Sequence, residues 1–214
     1  MSKTRRNNQD YDREVELTKL LNDVLKQITG HQHDFQFAND HLIQLKRVLS
    51  GVNGLLTFRT TVLALEWLKL HFSIAEEDFI DILASIRSTS AYANGFDIYI
   101  PDYKLVAEVK CYLPINDGEF FGAAQANGIL NDAIKLKNSK TGLPSSEEFY
   151  KFIFLWEVPT KTEKAIRTML GKAKMTSTND ARVQRNDIKD FLEYLTTGST
   201  ADELSTEKIY LIEV

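Results

Sequence analysis

Three residues in the stretch NGFDIYIPDYKLVAEVKCYL, residues 94–113, are typed and spaced for chemistry on a phosphate: Asp97, Glu108 and Lys110. Side chains alternate across a strand. In KLVAEVKCYL, one face then holds Leu105, Ala107, Val109, Cys111 and Leu113, and the other Lys104, Val106, Glu108, Lys110 and Tyr112. In GFDIYI, Phe96, Ile98 and Ile100 fall on one side, with Gly95, Asp97 and Tyr99 on the other. With Asp102 and Tyr103 as the loop, antiparallel partners sum to 205, so Asp97 faces Glu108 and Lys110 faces Gly95. Opposed side chains sit about 4.5–5.5 Å apart at Cβ.

Two carboxylates about 4 Å apart repel by roughly 1 kcal/mol in water and about 4 kcal/mol at intermediate dielectric. A cation between them removes that cost. Hard oxygen ligands on a rigid sheet suit magnesium, which takes one or two carboxylates plus phosphate oxygens. A lysine beside them orients a water or holds a phosphate as negative charge develops. The competing reading is a surface hairpin whose Asp, Glu and Lys make ordinary cross-strand pairs.

The elements that must position this hairpin follow from periodicity. Residues 10–29 have helical spacing and stop at Gly30. DHLIQLKRVLS reads as a short helix ended by Gly51, and a longer helix follows over about residues 56–72. AEEDFIDILASIR is a helix with acids in its first turn, as the macrodipole favours. After the hairpin, residues 119–137 read as a helix rich in small residues, and KFIFLWEV as a buried strand. TEKAIRTML is a helix, Gly171 to Asp180 a polar loop, NDIKDFLEYL a helix and KIYLIEV a closing strand. The expectation is one α/β domain over residues 1–214. Its helical N-terminal part covers residues 1–54, and its core, residues 55–214, carries the chemistry.

The chain of 214 residues is 43% hydrophobic and 26% charged, which is a globular composition. No apolar run approaches the ~20 residues that span a bilayer, and the N-terminus lacks a signal-peptide core. With Cys111 the single cysteine, an intramolecular disulfide is excluded. These features point to a cytoplasmic protein with no membrane partner. Net charge is −4, yet residues 161–189 hold eight basic residues against three acids. Such a patch fits a phosphate-binding surface, or a solvated helix and loop.

Asp97, ten intervening residues, and Glu108-Val109-Lys110 resemble the PD-(D/E)xK nuclease signature. The setting over about residues 60–158 resembles that superfamily too: a helix, a charged hairpin with an apolar back, a helix and a buried strand. Phe96 stands where the literal motif has proline, and the Pro101-Asp102 pair lies too close to Glu108 to be its strand partner. The resemblance implies a restriction-endonuclease-like αβββαβ core with a mixed central sheet flanked by helices. It implies Asp97 and Glu108 as ligands of one or two magnesium ions, with the Val109 carbonyl as a further ligand. It assigns Lys110 to organising the attacking water, and implies in-line hydrolysis of a DNA phosphodiester. The compact size is similar to a type II restriction enzyme, a homodimer meeting both strands of a palindromic site. A repair or junction-resolving nuclease of the same fold, and a non-catalytic nucleic-acid binder on this scaffold, stay open.

Relatives of this kind add an acid from a preceding helix. Glu66 is the first candidate because it interrupts VLALEWL, where an unpaired charge is costly; Glu77 and Asp81 compete. Gln125 stands where some relatives place a glutamine near the site. Lys135 is within reach of a phosphate. In GKAKMTSTNDARVQR, Lys172, Lys174, Arg182 and Arg185 are candidate DNA contacts. GKAK lacks the pattern of a phosphate-binding loop, so no nucleotide cofactor is expected. His31 and His33 lack companion ligands in the sequence, and Cys111 reads as a small core residue.

Overall fold

A computed structural model describes residues 4–36, 38–88, 95–116, 118–138, 148–171, 180–196 and 203–214. The chain divides into two units, residues 1–52 and 53–214.

The first unit is helical. Helix α1, Thr4–Thr29, ends where Gly30 adopts φ +74° and its N–H bonds to the Lys26 carbonyl at 2.8 Å. That is the left-handed cap a glycine makes without strain. The buried Asn22 side chain donates to the Phe35 carbonyl (3.1 Å) and accepts its N–H (3.0 Å), tying the following connection to the helix.

Helix α2, Asn39–Phe72, is one continuous element of 34 residues and corrects two expectations. Gly51 does not end a helix: Gly51 and Gly54 both lie inside it. An interior glycine costs about 1 kcal/mol relative to alanine, too little to break a helix that bonds on both sides. Unbroken, α2 is also long and apolar enough to cross a membrane by length and composition, with 22% of its most apolar window buried.

In the second unit a mixed sheet of five strands is flanked by helices. Helix α3 is Glu76–Ser88, β1 is Ile98–Ile100 and β2 is Leu105–Lys110. Helix α4, Ala123–Asn138, leads to β3, Tyr150–Leu155. Helices α5, Lys161–Gly171, and α6, Asp180–Asp187, precede β4, Leu192–Tyr194, and β5, Ile209–Glu213. The spatial order is β1-β2-β3-β5-β4, with β1 antiparallel at one edge and every other pair parallel. Among the described residues two strands, rather than three, lie between α3 and α4. The stretch 186–195 is not the expected helix: it runs from the end of α6 through a 3-10 turn into β4. Leu192 and Leu195 are buried there, so pairing and burial at the sheet edge override helical spacing.

Alternation along the central strands separates two cores. Leu105, Ala107, Val109, Phe152, Phe154, Tyr210 and Ile212 pack with Ala64, Leu65 and Leu68 of α2. Val106, Ile153, Leu155, Ile209 and Leu211 pack with Ile129, Ala133 and Leu136 of α4 and Ala165 and Ile166 of α5. The even-numbered positions of β2 therefore look toward α4, and Glu108 and Lys110 are among them.

Candidate active site

The β1–β2 register is Ile98↔Ala107, Tyr99↔Val106 and Ile100↔Leu105, the sum of 205 expected. The loop is longer than the two residues assumed: Pro101–Tyr103 form a 3-10 turn and Lys104 is left-handed, with φ +52°. Tyr103 anchors this loop to α3, donating to Asp78 at 2.6 Å and accepting the Ala75 N–H at 3.3 Å. Continued by one step, the register sets Asp97 opposite Glu108.

The ladder stops at Ile98, and the reason lies in the backbone. Residues 95–97 bend away, Gly95 at φ +77°. Phe96 therefore joins the α4-side core with Val106, not the face of Ile98 and Ile100 as alternation predicted. The Lys110 carbonyl accepts the Trp156 N–H, on the β3 edge of the strand. Successive residues present their amides to opposite edges. Val109 thus turns its N–H and its carbonyl toward the edge that β1 has left. Asp97 Oδ2 accepts that N–H at 2.8 Å, supplying the bond the ladder no longer makes. One hydrogen bond fixes the first carboxylate beside the residue that follows the second.

Asp97, Glu108, Val109 and Lys110 line one cleft of about 710 Å³, with Lys135 of α4 and Thr57 of α2 among its other walls. Glu108 is only 4% exposed. Lys110 Nζ lies 3.8 Å from Glu108 Oε2 and 2.8 Å from Asp132 Oδ2. Asp132, 3% exposed, also bonds Lys135 Nζ through Oδ1 at 2.6 Å. Burial pulls the Lys110 pKa down, but the hydrogen bond and charge of Asp132, then the charges of Glu108 and Asp97, outweigh it. The pKa stands above the ordinary lysine value, so Lys110 is a cation at neutral pH. It can orient a water or stabilise developing negative charge, but it is not poised to remove a proton.

The donor chemistry fits a magnesium ion. Among the described residues no group of three His, Cys, Asp or Glu side chains is placed to hold a metal. The cleft offers two carboxylates and, where β1 no longer pairs, the Val109 carbonyl. Magnesium needs no more from a protein, since it keeps several waters and takes substrate phosphate oxygens.

Among the described residues, Glu66, Glu77, Asp81, Gln125 and Arg185 are not among the walls of this cleft. Glu66 is exposed on α2, while Ala64, Leu65 and Leu68 form the buried stripe. Glu77 and Asp81 are exposed on α3. Gln125 does structural work at the start of α4: its Oε1 accepts the Gly122 N–H (2.9 Å) and its Nε2 donates to the Leu113 carbonyl (3.1 Å). The first of these is the return bond of a capping box. Lys172, Lys174 and the Arg182 side chain lie outside the described residues. Arg185 on α6 is half-buried, with Nη1 3.5 Å from Asn131 Oδ1. Within the basic stretch, Arg167 pairs with Glu163 at 2.8 Å and Lys164 with Glu119 at 3.3 Å. Asp132 was not foreseen. Its signal was present in GILNDAIKL: an acid three residues after Ile129 and four before Leu136 falls on the stripe that faces the sheet.

No protein-family model, no curated protein and no solved structure matches this chain. The side chains carry the functional reading alone.

Proposed function

We propose that this protein is a magnesium-dependent DNA endonuclease of the PD-(D/E)xK kind, acting in the cytoplasm as a type II restriction enzyme and a homodimer. The observation that supports it is the convergence of Asp97, Glu108, Val109 and Lys110 on one cleft, with Asp97 held against the Val109 amide. The order helix, antiparallel hairpin, helix, parallel strand is in keeping with a restriction-endonuclease-like core.

Asp97, Glu108 and the Val109 carbonyl would hold the ion, which would supply positive charge to the phosphoryl oxygens. Lys110 presents its ammonium to the scissile phosphate and aligns the attacking water in line with the leaving oxygen. Lys135, its side chain half exposed, meets a neighbouring phosphate from the cleft wall. Arg185, with Lys172, Lys174 and Arg182, grips the DNA further along. Positioning and electrostatics then supply most of the acceleration.

Supercoiled plasmid incubated with and without magnesium tests this. Nicking or linearisation should require magnesium and fall on the order of 10³-fold in Glu108→Gln, which keeps shape and removes charge. Discrete bands indicate a sequence-specific enzyme, a smear a nonspecific one. Preferential cutting of branched or damaged DNA indicates a repair or junction-resolving role. Binding without cleavage on every substrate replaces this reading with that of a non-catalytic nucleic-acid binder.

A further inference from the structure

Asp132 sits on the inner stripe of α4 between Ile129 and Leu136, both fully buried. A carboxylate there is costly unless it is paired and hydrogen-bonded. Its oxygens are divided between two lysines that line the cleft, Oδ2 to Lys110 at 2.8 Å and Oδ1 to Lys135 at 2.6 Å. Lys110 has a second acid within reach, Glu108, at 3.8 Å. One ammonium is thus set between two buried carboxylates and bonded to the one on α4. Were Asp132 uncharged, Lys110 would close on Glu108 and neutralise the oxygens assigned to the cation.

We infer that Asp132 is a positioning residue that draws Lys110 toward α4, so that the ammonium stays beside the phosphate and does not compete with a divalent cation at Glu108. The inference rests on the cation-dependent reading of the cleft and goes beyond it in assigning a third acid whose work is done through the lysine. Residues that orient metal ligands from behind change metal affinity by about 10–100-fold when removed.

The experiment is calorimetric titration of magnesium into the wild type and three variants, without DNA. Asp132→Asn should weaken magnesium binding about tenfold, and excess magnesium should restore its plasmid cleavage. In a Lys110→Ala background the same Asn substitution should change magnesium affinity less than twofold, because the intruding lysine is gone. Loss of the Asp132 charge acting merely as a distant field would weaken binding equally in both backgrounds, and that result overturns the inference. So does Asp132→Asn binding magnesium as the wild type does. Circular dichroism checks the fold. Should Asp132→Asn not fold, Asp132→Glu carries the test, moving Lys110 by one methylene with the charge kept. It should weaken affinity about threefold, again only when Lys110 is present. A wild type that binds magnesium and cuts no DNA sinks the nuclease reading alone. A wild type that binds no magnesium sinks both.

Discussion

Toward α2 and α3 the sheet presents Leu105, Ala107, Val109, Phe152, Phe154 and Tyr210 to Ala64, Leu65 and Leu68. Toward α4 the same strands present Val106, Ile153 and Leu211, but also Glu108 and Lys110. The first side is apolar and aromatic, with Trp67 meeting Phe152 and Phe154 at 5.6 and 5.8 Å between ring centroids. The second side carries a helix whose inner stripe includes Asp132. One strand therefore serves two purposes through its pleat: odd residues anchor the fold and even residues hold charge. The burial that secures the odd positions also makes the even ones rigid enough to aim.

The largest effect separating the two sides belongs to Phe152, fully buried at the centre of the apolar one. Phe152→Ala should cost about 3–5 kcal/mol of stability in urea denaturation. The folded fraction should retain magnesium affinity. A cost below about 1 kcal/mol, or a cation defect in the folded protein, would erase the division of labour.

An intermediate effect sharpens the contrast on the α4 side. Tyr194 packs against that core, and its hydroxyl donates to Glu213 at 2.6 Å. Burial first, and then the bond and charge of Glu213, push the Tyr194 phenol well above its ordinary value of 10.0. A raised folded-state pKa means stabilisation that is whole below pH 10.0 and is lost as pH climbs past it. Urea midpoints measured at steps from pH 8 to 12 should fall more steeply above about pH 10 in the wild type than in Tyr194→Phe. Parallel curves would mean the phenol is not linked to folding.

The smallest effect is expected at Glu66, exposed on the outer side of α2. Glu66→Gln should shift stability by no more than about 0.5 kcal/mol and leave magnesium binding and plasmid cleavage unchanged. A large loss of cleavage would bring α2 into the chemistry and break the comparison from the other side.

Glu66 and Asp132 show what could be read in the chain and what could not. Both interrupt apolar helical runs, and the run VLALEWL marks Glu66. Helical phase decides otherwise: Ala64, Leu65 and Leu68 turn inward and leave Glu66 outside, whereas Asp132 shares its stripe with Ile129 and Leu136. The hairpin register was legible because the pairing depends on the sum of partner numbers, and the longer loop kept that sum. The strands at Tyr150–Leu155 and Ile209–Glu213 were legible as short apolar runs between turns. Continuity of α2 through Gly51 was not, since propensity weighs one residue and the helix weighs its neighbours. Nor was β4, a three-residue strand whose pairing with β5 comes from a distant segment. The open edge at Val109, which holds Asp97, arises from a bend that no periodicity announces.

The hairpin tip described above acts as a gauge block for the whole cleft. Between Ile100 and Leu105 the chain spends four residues, and that number sets the register from which the Asp97 segment departs. Exchange of residue type at the exposed Asp102 leaves the spacing intact. One residue added or removed slips the pairing by a step and turns Asp97 to the opposite side of the sheet. Chain length at a solvent-facing corner thus bears on the separation of two charges, one just past the end of β1 and the other inside β2.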